Sequence, residues 1–399
     1  MTHDRGRLAR MSDIVVLSAT RTAIGTSHKG SLRETPAETL ATIVVGESVR
    51  RAGVAADQVD DIVLAESLAG GGVLARYAAV ANGMTHVPGH AVNRHCAGGL
   101  TAVGVAAAQI AAGMANVVVA GGVHSFSMAP ELTWRVPGSD RPRTGMAPTF
   151  PHTESANDDV TIGVGWNTAQ EAGITRDEMD AWALRSHQRA TAAIDNRTFA
   201  DEIVPVPGID RGGAAISFAV DEHPRQNTSL QTLTALAPLH PEIPGFSITA
   251  GNASGINDAA AALVLATPEV ADATGGTPLA RVRAWQSVGV EPHRTGFGAL
   301  DAISKILDRT GLTVADIDLW EINEAFASVP VAACRLLKIE EERVNVHGSG
   351  CSLGHPIAAS GARMLTTLIH ELRRRGGGTG IASMCAGGGM GGAVIVDVE

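Results

Sequence analysis

Residues 312–325, LTVADIDLWEINEA, resemble residues 55–67, AADQVDDIVLAES, and the likeness continues beyond them. The earlier stretch leads through VNRHCAGG (92–99) to an Ala-rich segment at 101–115 and ends in NVVVAGG (116–122). The later one leads through VNVHGSGCSLGHP (344–356) to an apolar segment at 358–373 and ends in GIASMCAGGG (380–389). Each series reads as a strand, a Gly-rich turn, a helix of about four turns and a short apolar strand ending in glycines. Such alternation implies parallel strands with covering helices. The offset, about 250 residues, is too long for a solenoid period, so a duplicated α/β half is predicted.

The region between the halves, 122–249, differs in being rich in Pro, His, Thr and Asp. Its clearest element is TRDEMDAWALRSHQRATAAIDN (175–196), where Thr175 with Glu178 three residues on forms a capping-box pattern and predicts a helix. Met179, Trp182, Ala183 and Ile194 fall near one face of it. The expected division is 11–121 with 250–270 as the first half, 122–249 as an inserted loop domain carrying substrate-binding elements, and 271–399 as the second half.

Composition narrows the function classes. The chain has 399 residues, 45% of them hydrophobic, with 46 glycines and only 3% aromatics, so its core is aliphatic and close-packed. A net charge of −10 and a single Tyr argue against a nucleic-acid surface, although a few arginines can still receive an anionic ligand. Four cysteines do not make a disulfide framework, and no apolar run is long enough for a membrane span. A cytoplasmic protein with reduced thiols is expected. Met11 opens a better strand (DIVVLSATRT) than Met1, so MTHDRGRLAR is read as an extension.

Four segments carry chemistry. Cys96 sits where a strand hands over to a helix, beside Gly98 and Gly99. Free N–H groups and the helix dipole there are expected to favour the thiolate. A small buried core cysteine is the competing reading. His355, followed by Pro356 in a Gly-rich loop, is placed for an oriented acid/base group and not for core packing. Cys351 and His347 precede it, but no partner pair accompanies them, so no metal site is expected. Cys385 ends an apolar strand before Gly387–Gly389, a run that lacks the Lys-Ser/Thr of a phosphate loop and suits N–H donation to an oxyanion. Asn323 and Glu324 lie where a strand meets a helix, Asn323 as either a polar cap or the holder of a water.

Taken in order, SATRTAIGTSHKGSL, VNRHCAGGL, TAGNASGIND (249–258), INEAFA, LGHP and CAGGGMG resemble the successive signature blocks of the thiolase family. They cover the chain from about residue 12 onward. The resemblance implies two similar α/β halves in a layered αβαβα core with an inserted loop domain, assembled as a homodimer or homotetramer. It implies an acyl-CoA C-acyltransferase that forms or cleaves 3-ketoacyl-CoA through an acyl-Cys96 intermediate. His355 matches the base that activates Cys96, and Cys385 the acid/base that moves the α-proton. Asn323 matches the holder of a water that, with His355, faces the enolate oxygen. The N–H groups of Cys96 and Gly387 match a second oxyanion site. Arg225 matches a contact to the CoA nucleotide, Ala250 and Ser254 match pantetheine contacts, and Phe326 lines the acyl channel. CoA is thus part of the substrate, and no tightly bound cofactor is implied.

Three departures stand out. Gly98 replaces a usual Ser, Ser349–Gly350 with Cys351 replace the usual Gly-Gly-Ala, and TIGVGWN (161–167) lacks the His-Met-Gly of short-chain biosynthetic members. The acyl pocket is therefore expected to be lined differently. A β-ketoacyl synthase shares fold and nucleophile but lacks the counterpart of Cys385. A thiolase-like lipid or sterol carrier tends to lose a catalytic residue, and here all are present.

Overall fold

The computed structural model describes residues 13–145, 149, 159–275 and 277–399. The extension read at MTHDRGRLAR lies outside the described residues. The first half comprises β1 (Val15–Thr22), α1 (Ala37–Ala52), β2 (Asp61–Ala65), β3 (His90–Val92), α2 (Gly98–Ala111), β4 (Val117–His124) and, after the insert, β5 (Asn257–Ala266). The insert holds α3 (Arg176–Asp195). The second half comprises β6 (Ala280–Gly289), α4 (Gly298–Thr310), β7 (Leu319–Ile322), α5 (Ser328–Leu337), α6 (Ser360–Arg374), β8 (Gly378–Ala386) and β9 (Met390–Val398).

The strands lie in the order β7-β8-β9-β6-β1-β5-β4-β2-β3. The duplication read from sequence is present strand for strand. β2–β4 and β7–β8 are parallel, β1–β5 and β6–β9 antiparallel, and β4–β5 and β8–β9 antiparallel. Even the β2–β3 step has a counterpart in the parallel bridge Trp320↔Val344. The halves join where β1 meets β6 at Val15↔Arg281 and Val16↔Ala280.

β5 and β8 read as near-continuous apolar runs because helices cover both faces. α1 covers the outer face of the first half and α4 that of the second. α2 and α6 pack on each other and on strands of both halves, which makes the middle layer. The result is the αβαβα stack, with one apolar cluster for each outer interface and a third around the middle helices. Glycine sets that central contact. A Cβ on Gly99 would sit 2.6 Å from the Ala362 nitrogen, and one on Gly361 2.5 Å from that of Leu100.

α3 starts as the capping box predicts. The Thr175 side chain accepts from the Glu178 N–H, and the Glu178 carboxylate takes the Thr175 N–H at 2.8 Å. Met179, Trp182 and Ala183 are buried, while Ile194 is half-buried. Arg21 on β1, 1% exposed, ties the insert to the core by reaching Glu202 at 2.6 Å and Asp221 at 2.8 and 2.9 Å. Thr161–Trp166 form a π-helical stretch, a geometry that tends to mark functional positions. Among the described residues no helix is long and apolar enough to cross a membrane.

Candidate active site

The candidate residues gather at the C-terminal ends of the parallel strands, the usual crevice of an open α/β sheet. Cys96 lies in a short 3-10 turn (His95–Ala97) between β3 and α2. The preceding His95 holds φ at 43°, strained backbone for a non-glycine residue. Cys385 is the penultimate residue of β8 and is 2% exposed. Gly387 follows in the β8–β9 turn, and its N–H points to the Cys96 sulfur. The two thiols are close enough that Cys96 opposes ionisation of Cys385.

The expectation of a favoured thiolate at Cys96 is corrected. Burial pushes the thiol up to about 11, and the N–H groups of Gly387 and Cys96 only partly oppose this. The helix N-terminus is present, but desolvation is the larger effect. Burial, with Cys96 nearby, holds the Cys385 thiol higher still. Both cysteines therefore rest as thiols and need a base.

His355 is held in one orientation by its neighbours. Pro356 opens a turn whose carbonyl accepts the Ala359 and Ser360 N–H groups, and α6 proper follows from Ser360. The Ser360 hydroxyl donates to the Pro356 carbonyl at 2.9 Å and lies 2.6 Å from His355 Nδ1. Its one proton being used, it accepts from Nδ1–H, and this assignment leaves Nε2 with a free lone pair. The His355 N–H donates to Asn257 Oδ1 at 3.0 Å. Burial first, then His124 and Arg363, push the imidazole down to about 3, so it rests neutral.

Asn323 follows β7 and is fully buried. Its alternative reading as a cap fails, because α5 begins only at Ser328 with Ala327 at the N-cap position. The Asn323 N–H donates to the Ser383 carbonyl at 3.0 Å. Its Nδ2 lies 3.5 Å from each ring nitrogen of His355, and Oδ1 has no partner. A buried unsatisfied acceptor beside His355 suits a water, which can donate to it.

Phe326 is 6% exposed and its backbone pairs with Ala253, while the Ser254 N–H donates to the Ala325 carbonyl at 2.9 Å. The 249–254 loop thus lies directly against the Asn323–Phe326 segment, with Ser254 half-buried and Ala250 exposed. Arg225 is exposed and lies farther out, its N–H donating to His187 Nδ1 at 3.1 Å. A cavity of about 560 Å³ between residues 26–33 and the 209–222 segment contains none of these residues. Among the described residues no group of His, Cys, Asp or Glu could hold a metal ion.

Sequence reasoning missed His124, Ser360, Asn257 and the surroundings of Glu324. Of these only His124 left a trace, as a polar residue closing an otherwise apolar strand. It is 3% exposed, its Nε2 is unpartnered, and it influences His355. Burial pushes it down to about 4. The folded chain therefore keeps it neutral where the unfolded chain protonates it. Its contribution is present above about pH 6.5 and lost as pH falls toward about 4, at up to roughly 1.4 kcal/mol per pH unit. The stability of wild type relative to His124→Phe is expected to drop accordingly in denaturant unfolding between about pH 7 and about pH 5. A pH-independent difference would contradict a buried neutral His124.

A half-buried and a buried thiol, a neutral histidine and an N–H donor on the Cys96 sulfur suit covalent acyl transfer. The model for the thiolase N-terminal domain matches residues 14–269 and that for the thiolase C-terminal domain residues 276–398. The chain belongs to the thiolase family. It is an acyltransferase acting on CoA thioesters, and the β-ketoacyl synthase and carrier alternatives fall away. It is 40% identical to an acetyl-CoA acetyltransferase of Pseudomonas aeruginosa, over 97% of this chain and 99% of that one. Among solved structures it resembles the Bacillus anthracis acetyl-CoA acetyltransferase (38% identity, TM-score 0.89, 98% and 99% covered). Human mitochondrial 3-ketoacyl-CoA thiolase is similar as well (32% identity, TM-score 0.89, 98% and 100% covered).

Proposed function

We propose that Cys96 carries the acyl group, His355 activates it and Cys385 moves the α-proton. The observation that carries this is the meeting of both thiols with the Gly387 N–H at the end of β8. His355 Nε2 takes the Cys96 proton as the sulfur attacks the first thioester. The resulting oxyanion faces the N–H groups of Cys96 and Gly387, and CoA leaves with the proton. Cys385 gives its thiol proton to His355 Nε2 and then, as the thiolate, removes an α-proton from the second acyl-CoA. The burial that disfavours its thiolate also makes that thiolate a stronger base. The enolate oxygen is held by the Nε2–H that His355 has gained and by a water on Asn323. Its carbon attacks the acyl-Cys96 carbonyl, giving 3-ketoacyl-CoA and releasing the Cys96 thiolate, which takes its proton back from His355. Thiolysis runs the same steps in reverse.

The same reading assigns CoA binding to Arg225, Ala250 and Ser254, in or bordering the 122–249 insert. It makes the protein a cytoplasmic homodimer or homotetramer, for which the outer edge of β3, unpaired among the described residues, offers a pairing strand. Acyl groups longer than acetyl are the proposed substrates. In the 161–167 stretch Thr161 is engaged with Asp159 and His240, and Asn167 with the His293 carbonyl. What remains beside Phe326 is apolar: Val164, Trp166, Phe246 and Ile248 belong to the same cluster. Gly165 lets the Phe326 ring close on the backbone, since a Cβ there would meet it at 2.9 Å. Thiolysis of 3-ketoacyl-CoAs of increasing chain length, bulky ring-bearing ones included, is expected to hold kcat/KM beyond the four-carbon substrate. A sharp fall above four carbons would refute the altered pocket.

A further inference from the structure

Glu324 is the most heavily coordinated carboxylate near the candidate site, and none of the steps above uses it. It is 1% exposed. Trp182 Nε1 donates to Oε1 at 2.9 Å and the Asn345 amide to the same oxygen at 2.8 Å. The Ser186 hydroxyl donates to Oε2 at 2.6 Å and the Cys351 N–H to it at 3.1 Å. All four donors are uncharged, so a buried carboxylate is satisfied without an ion pair among them, an expensive arrangement for packing alone.

The donors come from three segments. Trp182 and Ser186 belong to α3 in the insert. Asn345 clamps the residue before Asn323, its Oδ1 accepting the Ile322 N–H and its Nδ2 donating to the Ile322 carbonyl, both at 2.8 Å. Asn323 is thus fixed on both sides, at Ile322 and at Glu324. Cys351 lies four residues ahead of His355, and the neighbouring Ser352 hydroxyl lies 2.7 Å from that of Ser186. One carboxylate therefore joins the Asn323 segment, the loop leading to His355 and a helix of the insert.

We propose that Glu324 is a positioning residue, through which Trp182 and Ser186 of the inserted helix hold Asn323 and His355 in mutual register. The insert then acts on the chemical step as well as on substrate. The inference rests on the roles proposed for Asn323 and His355. A misplacement of reacting groups by about 1 Å costs on the order of a hundredfold in rate.

The test is steady-state kinetics on variants, with kcat expressed per Cys96 that acetyl-CoA can acylate, so that misfolded enzyme is not counted. Trp182→Phe and Ser186→Ala each remove one donor, and kcat is expected to fall about tenfold with KM within about twofold. Glu324→Gln, which turns an acceptor into a donor facing donors, is expected to lose about a hundredfold. Ser186→Thr keeps the hydroxyl and should restore most of the rate. Arg185 stacks on the Trp182 ring at 3.8 Å and bonds Glu341, so Arg185→Ala controls for general loosening of the helix and should leave kcat unchanged. An unchanged kcat per acylatable Cys96 in Trp182→Phe and Ser186→Ala, even with a lower melting temperature, would overturn the proposal. So would a rise in KM alone, which would confine the insert to binding. Failure of the acyl-enzyme reading shows separately, as wild type that takes no acyl group on Cys96.

Discussion

Replacing Cys385 with alanine is expected to leave Cys96 able to take an acyl group while lowering turnover in both directions by at least about 10³-fold. The two half-reactions make different demands. Acylation of Cys96 needs a nucleophile, a base and an oxyanion site, and in the proposed mechanism His355 with the N–H groups of Cys96 and Gly387 supplies the last two. Carbon–carbon bond formation also needs a base for a weak carbon acid. Cys385, buried at the end of β8 beside Cys96, is the group proposed to carry that proton. The variant should accumulate acyl-enzyme when mixed with acetyl-CoA and yield almost no 3-ketoacyl-CoA. Turnover within about tenfold of wild type would remove Cys385 from the proton path.

Cys96→Ala should be at least as damaging, with a loss on the order of 10⁴-fold or more and no acyl adduct. Without the sulfur the acyl group has no covalent carrier, and the ping-pong path is closed. Cys334 and Cys351 give no substitute. Burial pushes the Cys334 thiol up to about 12, and Cys351, 1% exposed, is raised well above its ordinary value by burial and by Glu324. Saturation kinetics with free CoA as leaving product would reveal any residual ping-pong behaviour.

Much of this was legible in the sequence because it is local or repeated. The Thr175–Glu178 capping box is a four-residue pattern, and the helix begins where it says. The duplication was visible because two strand–turn–helix–strand series occur in the same order, and the sheet repeats the pairings. Cys96, His355 and Cys385 drew notice because each lies beside glycines at a turn, and Asn323 because it follows the end of an apolar strand. What stayed hidden depends on partners distant in sequence. Asn257 is 98 residues from His355, and Trp182 and Ser186 are 142 and 138 residues from Glu324. The direction of the Cys96 shift was misread for the same reason. A helix N-terminus can be read from neighbours, but the burial that outweighs it comes from the second half folding over the first. The π-helical turn at Thr161–Trp166, where Gly165 packs against Phe326 and Ile248, carries no signal in its own sequence.

The most direct measurement is to mix the protein with acetyl-CoA in the absence of a second substrate, weigh it intact and map the modified peptide. One acetyl group per chain, on Cys96 and missing from Cys96→Ala, is the predicted result. A wild-type chain that gains no acetyl group, or carries it on another residue, would contradict covalent catalysis through Cys96.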